Sequence, residues 1–80
     1  MINLSDLQVN QRAKILRINT ESLGVDFTRD LLDYGLIPGS SVIVKKVHKS
    51  SGKLIIFLNG IDIALRLKDA AMIQVELNGK

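Results

Sequence analysis

A helix end, a tight turn and the start of a strand follow one another in Arg29-Asp30-Leu31-Leu32-Asp33-Tyr34-Gly35-Leu36-Ile37-Pro38-Gly39-Ser40-Ser41-Val42. Phe27, Leu31 and Tyr34 recur at i, i+4 and i+7, which places them on one face of a helix. Gly35 follows at the position where a helix often ends in a residue with positive φ. The pattern predicts one helix over residues 25–34, which is short enough that packing must stabilise it.

A turn follows this helix and separates it from the next strand. Pro38 has no N–H and biases Ile37 toward extended geometry, so the helix cannot continue through it. Residues 37–40 fit a type II turn, with Pro38 at its second position and Gly39 at its third. The β-branched run that begins at Val42 is typical of a strand.

Outside this stretch the chain has the pattern of short strands and turns. Residues 1–11 are expected to be an irregular lead-in, residues 19–24 a polar connection and residues 68–71 a single 3₁₀ turn. Residues 61, 63 and 65 of the fourth strand are expected to share one face, and residues 73, 75 and 77 of the last strand are expected to point inward. The predicted strands cover residues 12–18, 41–48, 53–58, 61–66 and 72–77.

The second half of the chain reads as hairpins. Asn59-Gly60 is the preferred pair for a two-residue type I′ turn, because both positions need positive φ. Lys45-Lys46 interrupts the alternation of the second strand and predicts a bulge or a bend. The unbroken apolar run at residues 54–58 implies cover on both faces or one face exposed to a partner, so weak self-association through this strand stays open.

Five strands and one short helix predict a mainly β protein. A sheet of this size closes on itself to remove its exposed edges. The expected fold is a small SH3-like antiparallel β-barrel with the helix inserted between strands one and two. Eighty residues correspond to a single domain, 1–80.

Composition narrows the functional classes. The chain has no cysteine, a hydrophobic fraction of 46% and a net charge of +3. No apolar run approaches the roughly 20 residues of a transmembrane helix, and the N-terminus lacks the basic start of a signal peptide. We therefore expect a cytoplasmic protein that does not itself span the membrane.

The sequence offers little reactive chemistry. His48 is the only histidine, and no carboxylate lies close to it in sequence, so no metal site is expected. Gly35 to Gly39 is not a phosphate loop, since no Gly-Lys-Ser/Thr follows and Pro38 removes an N–H. No serine has the context of a nucleophile. We expect neither an enzyme nor a bound cofactor.

Two surfaces remain as binding candidates. Lysines cluster around the hairpin that joins strands two and three, where they fit nucleic acid or anionic lipid, or else a solvated hairpin tip; they are Lys45, Lys46, Lys49 and Lys53. Aromatic side chains for base stacking are scarce, which favours the solvated tip. Apolar residues crowd the end of the helix and suggest a protein-binding patch; they are Leu32, Tyr34, Leu36 and Ile37.

Residues 31–39, Leu-Leu-Asp-Tyr-Gly-Leu-Ile-Pro-Gly, resemble the Leu-Leu-Asp-Leu-Gly-Phe/Leu-Val/Ile-Pro-Gly signature of the FeoA family of ferrous iron transport accessory proteins. Residues 60–66 resemble the family's Gly-x-x-Ile/Leu-Ala-Leu-Arg, and residues 69–75 its Glu-Ala-x-x-Ile-x-Val ending. The opening Leu-Ser-Asp-Leu at residues 4–7 fits as well. The chain departs from the family at Val9-Asn10, where Pro-Gly is common, and at Tyr34, where Leu or Met is usual.

The resemblance implies an SH3-like domain that associates with FeoB, a membrane permease with a cytoplasmic GTP-binding domain. The chain would then lie in the cytoplasm, peripheral to the inner membrane through its partner. The expected contacts are Leu32, Tyr34, Leu36 and Ile37, with Arg66 as a polar anchor. The motif residues Gly35, Pro38, Gly39, Asn59 and Gly60 are expected to be structural. A small nucleic-acid-binding barrel that uses the lysine hairpin is the alternative.

Overall fold

The computed structural model describes residues 2–77 as six strands and a few short helices. The sheet is antiparallel, with the strand order β1-β6-β2-β3-β4-β5. Its strands are β1 (Ile2–Asn3), β2 (Arg12–Ile18), β3 (Ser41–His48), β4 (Lys53–Leu58), β5 (Ile61–Arg66) and β6 (Ile73–Leu77). The helices are α1 (Thr20–Leu23), α2 (Val25–Asp33) and α3 (Leu67–Ala70), and Leu4–Asp6 form a 3₁₀ turn.

The end of α2 is a Schellman motif. Leu36 N–H donates to the Leu31 carbonyl at 2.9 Å, and Gly35 N–H donates to the Leu32 carbonyl at 2.9 Å. Gly35 has φ +95°, the left-handed conformation that this motif requires. The predicted end of the helix is therefore confirmed to within one residue.

The turn after α2 connects the helix to the sheet. Ser40 N–H donates to the Ile37 carbonyl at 3.0 Å, and Gly39 has φ +97°, as a type II turn requires. Gly39 N–H also donates to the Ile15 carbonyl at 2.7 Å, while Ile15 N–H donates to the Ser40 carbonyl at 2.8 Å. These two bonds hold the turn against β2.

The hairpins have the predicted register. Asn59 (φ 52°) and Gly60 (φ 84°) form the two-residue turn that pairs Leu58 with Ile61. The register shifts between Val44 and Lys46, which confirms the bulge in β3. The apolar sequence of β4 left open that this strand pairs with another copy of the chain. β4 lies between β3 and β5, so both of its edges are occupied and it cannot do so.

One hydrophobic core joins the sheet to α2. Alternate residues of β2, β3 and β4 are buried, and Leu31 of α2 packs with them. The molecule is nearly as deep as it is wide, at 31 × 29 × 27 Å, as a curled sheet around one core must be. The fold is that of an SH3-like domain, with α2 inserted after β2 as expected.

The structure corrects several sequence expectations. The polar connection at residues 19–24 contains α1, because the Asn19 side chain accepts a hydrogen bond from Ser22 N–H and caps a helical turn. Residues 2 and 3 add a sixth strand. α3 is a turn of α-helix rather than a 3₁₀ turn. Leu77 lies at the end of β6 and is 43% exposed rather than inward.

Candidate partner-binding surface

Three of the predicted contact residues are exposed at or just after the C-terminal end of α2. Leu32, Tyr34 and Ile37 retain 46%, 47% and 45% of their accessible surface. They lie within six residues of one another, on either side of the Schellman motif. Such exposure of large apolar side chains leaves surface that a protein partner could cover.

Leu36 does not belong to this surface. Its side chain is fully buried, so it contributes to the core and is not accessible to a partner. The Schellman motif explains this burial, because it brings the residue after the glycine onto the last turn of the helix, where Leu31 is also buried. We therefore define the helix-end patch as Leu32, Tyr34 and Ile37.

The β4–β5 turn lies against the end of α2. A Cβ built on Gly35 would overlap Nδ2 of Asn59, so the two segments are in close contact. The φ of +95° favours glycine at position 35, and any side chain there would have to displace the end of the Asn59 side chain. Sequence reasoning identified both residues as structural but did not place them together.

A groove runs between α2 and β5, beside this contact. It has a volume of about 280 Å³, and Phe27, Leu31 and Tyr34 line it from α2 and the residue that follows. Residues 61–65 form its other wall. Tyr34 thus belongs both to the helix-end patch and to the groove, which continues the patch toward β5. The strand pattern gave no signal for this groove, because it depends on how α2 crosses the sheet edge.

Arg66, the predicted polar anchor, lies at the far end of β5 and is paired within the chain. Its Nε donates to Oδ2 of Asp69 at 2.8 Å. Asp69 is largely buried, whereas the Arg66 side chain is 62% exposed. The pair connects β5 to α3, so Arg66 has a structural role whether or not it also contacts a partner.

The lysine hairpin is solvated, as the sequence favoured. Lys45, Lys46, Lys49 and Lys53 are all exposed, and so is His48. Lys45 Nζ lies 5.3 Å from the ring centroid of Phe57, within the range of a cation–π interaction.

Within residues 2–77, no three His, Cys, Asp or Glu side chains come together in a way that could hold a metal ion. No helix in that part of the chain has the length and apolar character needed to cross a bilayer.

The antiparallel sheet, the inserted helix and the helix-end patch define a small SH3-like domain protein. The sequence model of the FeoA domain matches residues 2–77, so the chain belongs to the FeoA family. Solved structures of this family are described as an iron uptake regulatory protein and as a candidate ferrous iron transport activating factor, and the family is thus implicated in ferrous iron transport.

Several solved structures share the fold. The FeoA-like protein from Clostridium acetobutylicum is 23% identical, with a TM-score of 0.81, and the match covers 99% of this chain and 88% of that one. FeoA from Stenotrophomonas maltophilia, complexed with zinc, is 22% identical, with a TM-score of 0.77 over 95% of this chain and 91% of that one.

A larger protein contains the same fold as a part. IdeR from T. acidophilum is 25% identical, with a TM-score of 0.81 over 96% of this chain, but the match spans only 34% of IdeR. No curated protein matches the chain significantly.

Proposed function

We propose that this protein is a cytoplasmic accessory factor of bacterial ferrous iron uptake that acts by binding the cytoplasmic portion of a FeoB-type permease. Its association with the inner membrane is then indirect, through the permease. In this proposal the chain is one domain over residues 1–80, performs no catalysis and needs no cofactor.

The observation that carries the proposal is the helix-end patch of a FeoA-family protein. Leu32, Tyr34 and Ile37 are each about half exposed, and they belong to the segment in which the family signature lies. Burying such side chains against a partner contributes about 25 cal/mol per Å² of apolar surface. A patch of this kind can therefore supply the centre of a small interface.

The test is recovery of an affinity-tagged FeoB permease from detergent-solubilised membranes with purified protein as bait. We expect Leu32→Asp to reduce recovery at least about tenfold, because it places a charge where an apolar side chain would be desolvated. Leu77→Asp is the matched control, since Leu77 is the same residue type at 43% exposure on β6. It should leave recovery unchanged.

Both variants must remain folded, which their amide NMR spectra report. Undiminished recovery with folded Leu32→Asp would exclude the helix-end patch as the contact. A failure of the parent protein to recover the permease at all would refute the proposed function itself.

A further inference from the structure

β5 is an open edge of the sheet. Within residues 2–77 it pairs with β4 on one side and with no strand on the other. Its neighbour along the free side is α2, across the groove. Asp62 and Ala64 are both exposed residues of this strand.

The hairpin turn determines which backbone groups face this edge. In a two-residue hairpin, the pair that flanks the turn exchanges hydrogen bonds, and bonded and non-bonded pairs then alternate. Leu58 and Ile61 flank the turn, so Ile61, Ile63 and Leu65 bond to β4. Asp62 and Ala64 therefore direct N–H and C=O away from β4, and neither takes part in a turn, loop or cap hydrogen bond. Such groups can pair with an added strand.

Apolar side chains line the groove beside this edge. Leu31, Ile63 and Leu65 are buried, and Phe27 and Tyr34 are partly exposed above them. Successive side chains of a strand added to β5 would alternate between the groove and the opposite face of the sheet. Every second residue of that strand would therefore contact Phe27 and Tyr34.

The groove is acidic although the protein is basic. Its only charged lining residues are Asp30 and Asp62, while the whole chain has a net charge of +3. α2 carries Asp26, Asp30 and Asp33 against a single Arg29, a net charge of −2. A segment bound here meets carboxylates on both walls, and basic side chains complement them.

We infer that the α2/β5 groove binds an extended peptide segment by strand addition to β5, and that this segment alternates apolar residues with lysine or arginine. The free N–H and C=O groups of Asp62 and Ala64 supply the backbone pairing. Phe27 and Tyr34 receive the apolar side chains that enter the groove, and Asp62, on the other face of β5, receives the basic ones, while Asp30 adds to the negative charge beside the bound segment. The inference names a class of ligand and holds whichever protein supplies the segment, so it does not depend on the permease.

The test uses an N-acetylated, C-amidated eight-residue peptide that alternates lysine and valine, titrated into isotope-labelled full-length protein. We expect amide shifts to concentrate at Asp62, Ala64 and Tyr34, with slowed hydrogen exchange at Asp62 and Ala64. The same peptide with glutamate in place of lysine should bind at least about tenfold more weakly. Equal binding of the two peptides, or shifts confined to the lysine hairpin, would overturn the inference.

Two variants separate the contribution of backbone pairing to peptide affinity from the contribution of charge. Ala64→Pro removes an N–H that faces the free edge and leaves the bonds to β4 intact, so it should abolish peptide binding in a folded protein. Asp62→Lys should weaken binding about tenfold, whereas Glu76→Lys, with the same change of charge on β6, should not. Unchanged affinity in folded Ala64→Pro would refute strand addition.

A second measurement covers the case in which Ala64→Pro does not fold. The lysine–valine peptide methylated at every amide nitrogen has no backbone N–H on either edge and cannot add to a sheet, so it should not bind the parent protein. Binding of this peptide would refute strand addition. If the shifts of Asp62 and Ala64 instead depend on protein concentration without peptide, the occupant is a second copy of this chain, and the inference is overturned.

Discussion

Gly35 lies where the C-terminal end of α2 contacts the β4–β5 turn. It has φ +95°, and a Cβ there would overlap Nδ2 of Asn59. We predict that Gly35→Ala lowers the free energy of unfolding by about 2–3 kcal/mol, of which about 1 kcal/mol is the strain of an alanine in the left-handed region. Chemical denaturation followed by circular dichroism measures the change.

Gly39 provides the control for this prediction. Its φ of +97° is almost the same, but nothing lies within 4 Å of a Cβ built on it. Gly39→Ala should therefore cost only about 1 kcal/mol, the backbone strain alone. In a Gly35→Ala/Asn59→Gly double variant, the excess cost should disappear. Equal costs for the two single variants would mean that the Asn59 side chain moves aside at no cost.

Thr28 carries a buried hydroxyl that forms no hydrogen bond. Its residue exposure is 8%, and Oγ1 has no partner among the described residues. Replacing a buried, unpartnered polar group with an apolar group of similar shape removes a desolvation penalty. We predict that Thr28→Val raises the free energy of unfolding by about 1 kcal/mol. The exposed Thr20→Val serves as the control, and a loss of stability in Thr28→Val would show that the hydroxyl has a partner in solution.

Local sequence predicted the residues whose backbone conformation is special, but it did not predict where every side chain points. Gly35, Gly39, Asn59 and Gly60 have the positive φ that their turn types require. Leu36 was expected on the surface and is buried. The Schellman pattern predicts this burial, since it places Leu36 beside Leu31. Helical periodicity does not, because it ends at Gly35 and cannot say where later side chains point.

At the scale of elements, β5 allows a direct test of the sheet edge. Ile61, Ile63 and Leu65 donate their backbone N–H groups to β4, whereas the backbone groups of Asp62 and Ala64 face the free side. We predict that amide hydrogen exchange alternates along β5, with Asp62 and Ala64 faster than Ile63 and Leu65 by at least about a hundredfold. NMR-detected exchange of the free protein measures it.

β4 provides the internal comparison for this experiment. Because it is flanked by β3 and β5, all of its central amides should be protected without alternation. Uniform protection along β5 would show that its outer edge is already paired in solution. That result would contradict the free edge on which peptide binding depends.

Sequence predicted the elements that have a local signal and missed those that need a distant partner. α2 was predicted over residues 25–34 and is observed over Val25–Asp33, because its stripe, glycine and proline are all local. β1 has two residues and exists only through its pairing with β6, so no periodicity could indicate it. α1 had a local signal in Asn19, a helix-capping residue, which the polar composition of residues 19–24 obscured.

The molecule as a whole separates its charges. α2 and the groove are acidic, whereas four lysines surround the β3–β4 hairpin. This separation depends on the fold, since net charge alone gave only a weakly basic protein. It also means that one protein presents two electrostatically different surfaces, and a basic partner and an acidic partner would be steered to different places.

The lysine hairpin raises the alternative of nucleic-acid binding, and the structure argues against a specific site there. Lys45 lies over the ring of Phe57, so this ring is covered by a cation, and stacking with a base would have to displace it. Four lysines contacting a single strand would give affinity that falls about a thousandfold between roughly 10 and 150 mM salt. We predict that a fluorescent single strand of about 20 nucleotides binds only at the lowest salt concentrations of this range, and without sequence preference. Fluorescence anisotropy measures it, with Lys45→Gln/Lys49→Gln as the charge-reduced control. Binding that persists at about 150 mM salt and discriminates between sequences would show that the lysine hairpin is a nucleic-acid-binding site and not a solvated hairpin tip.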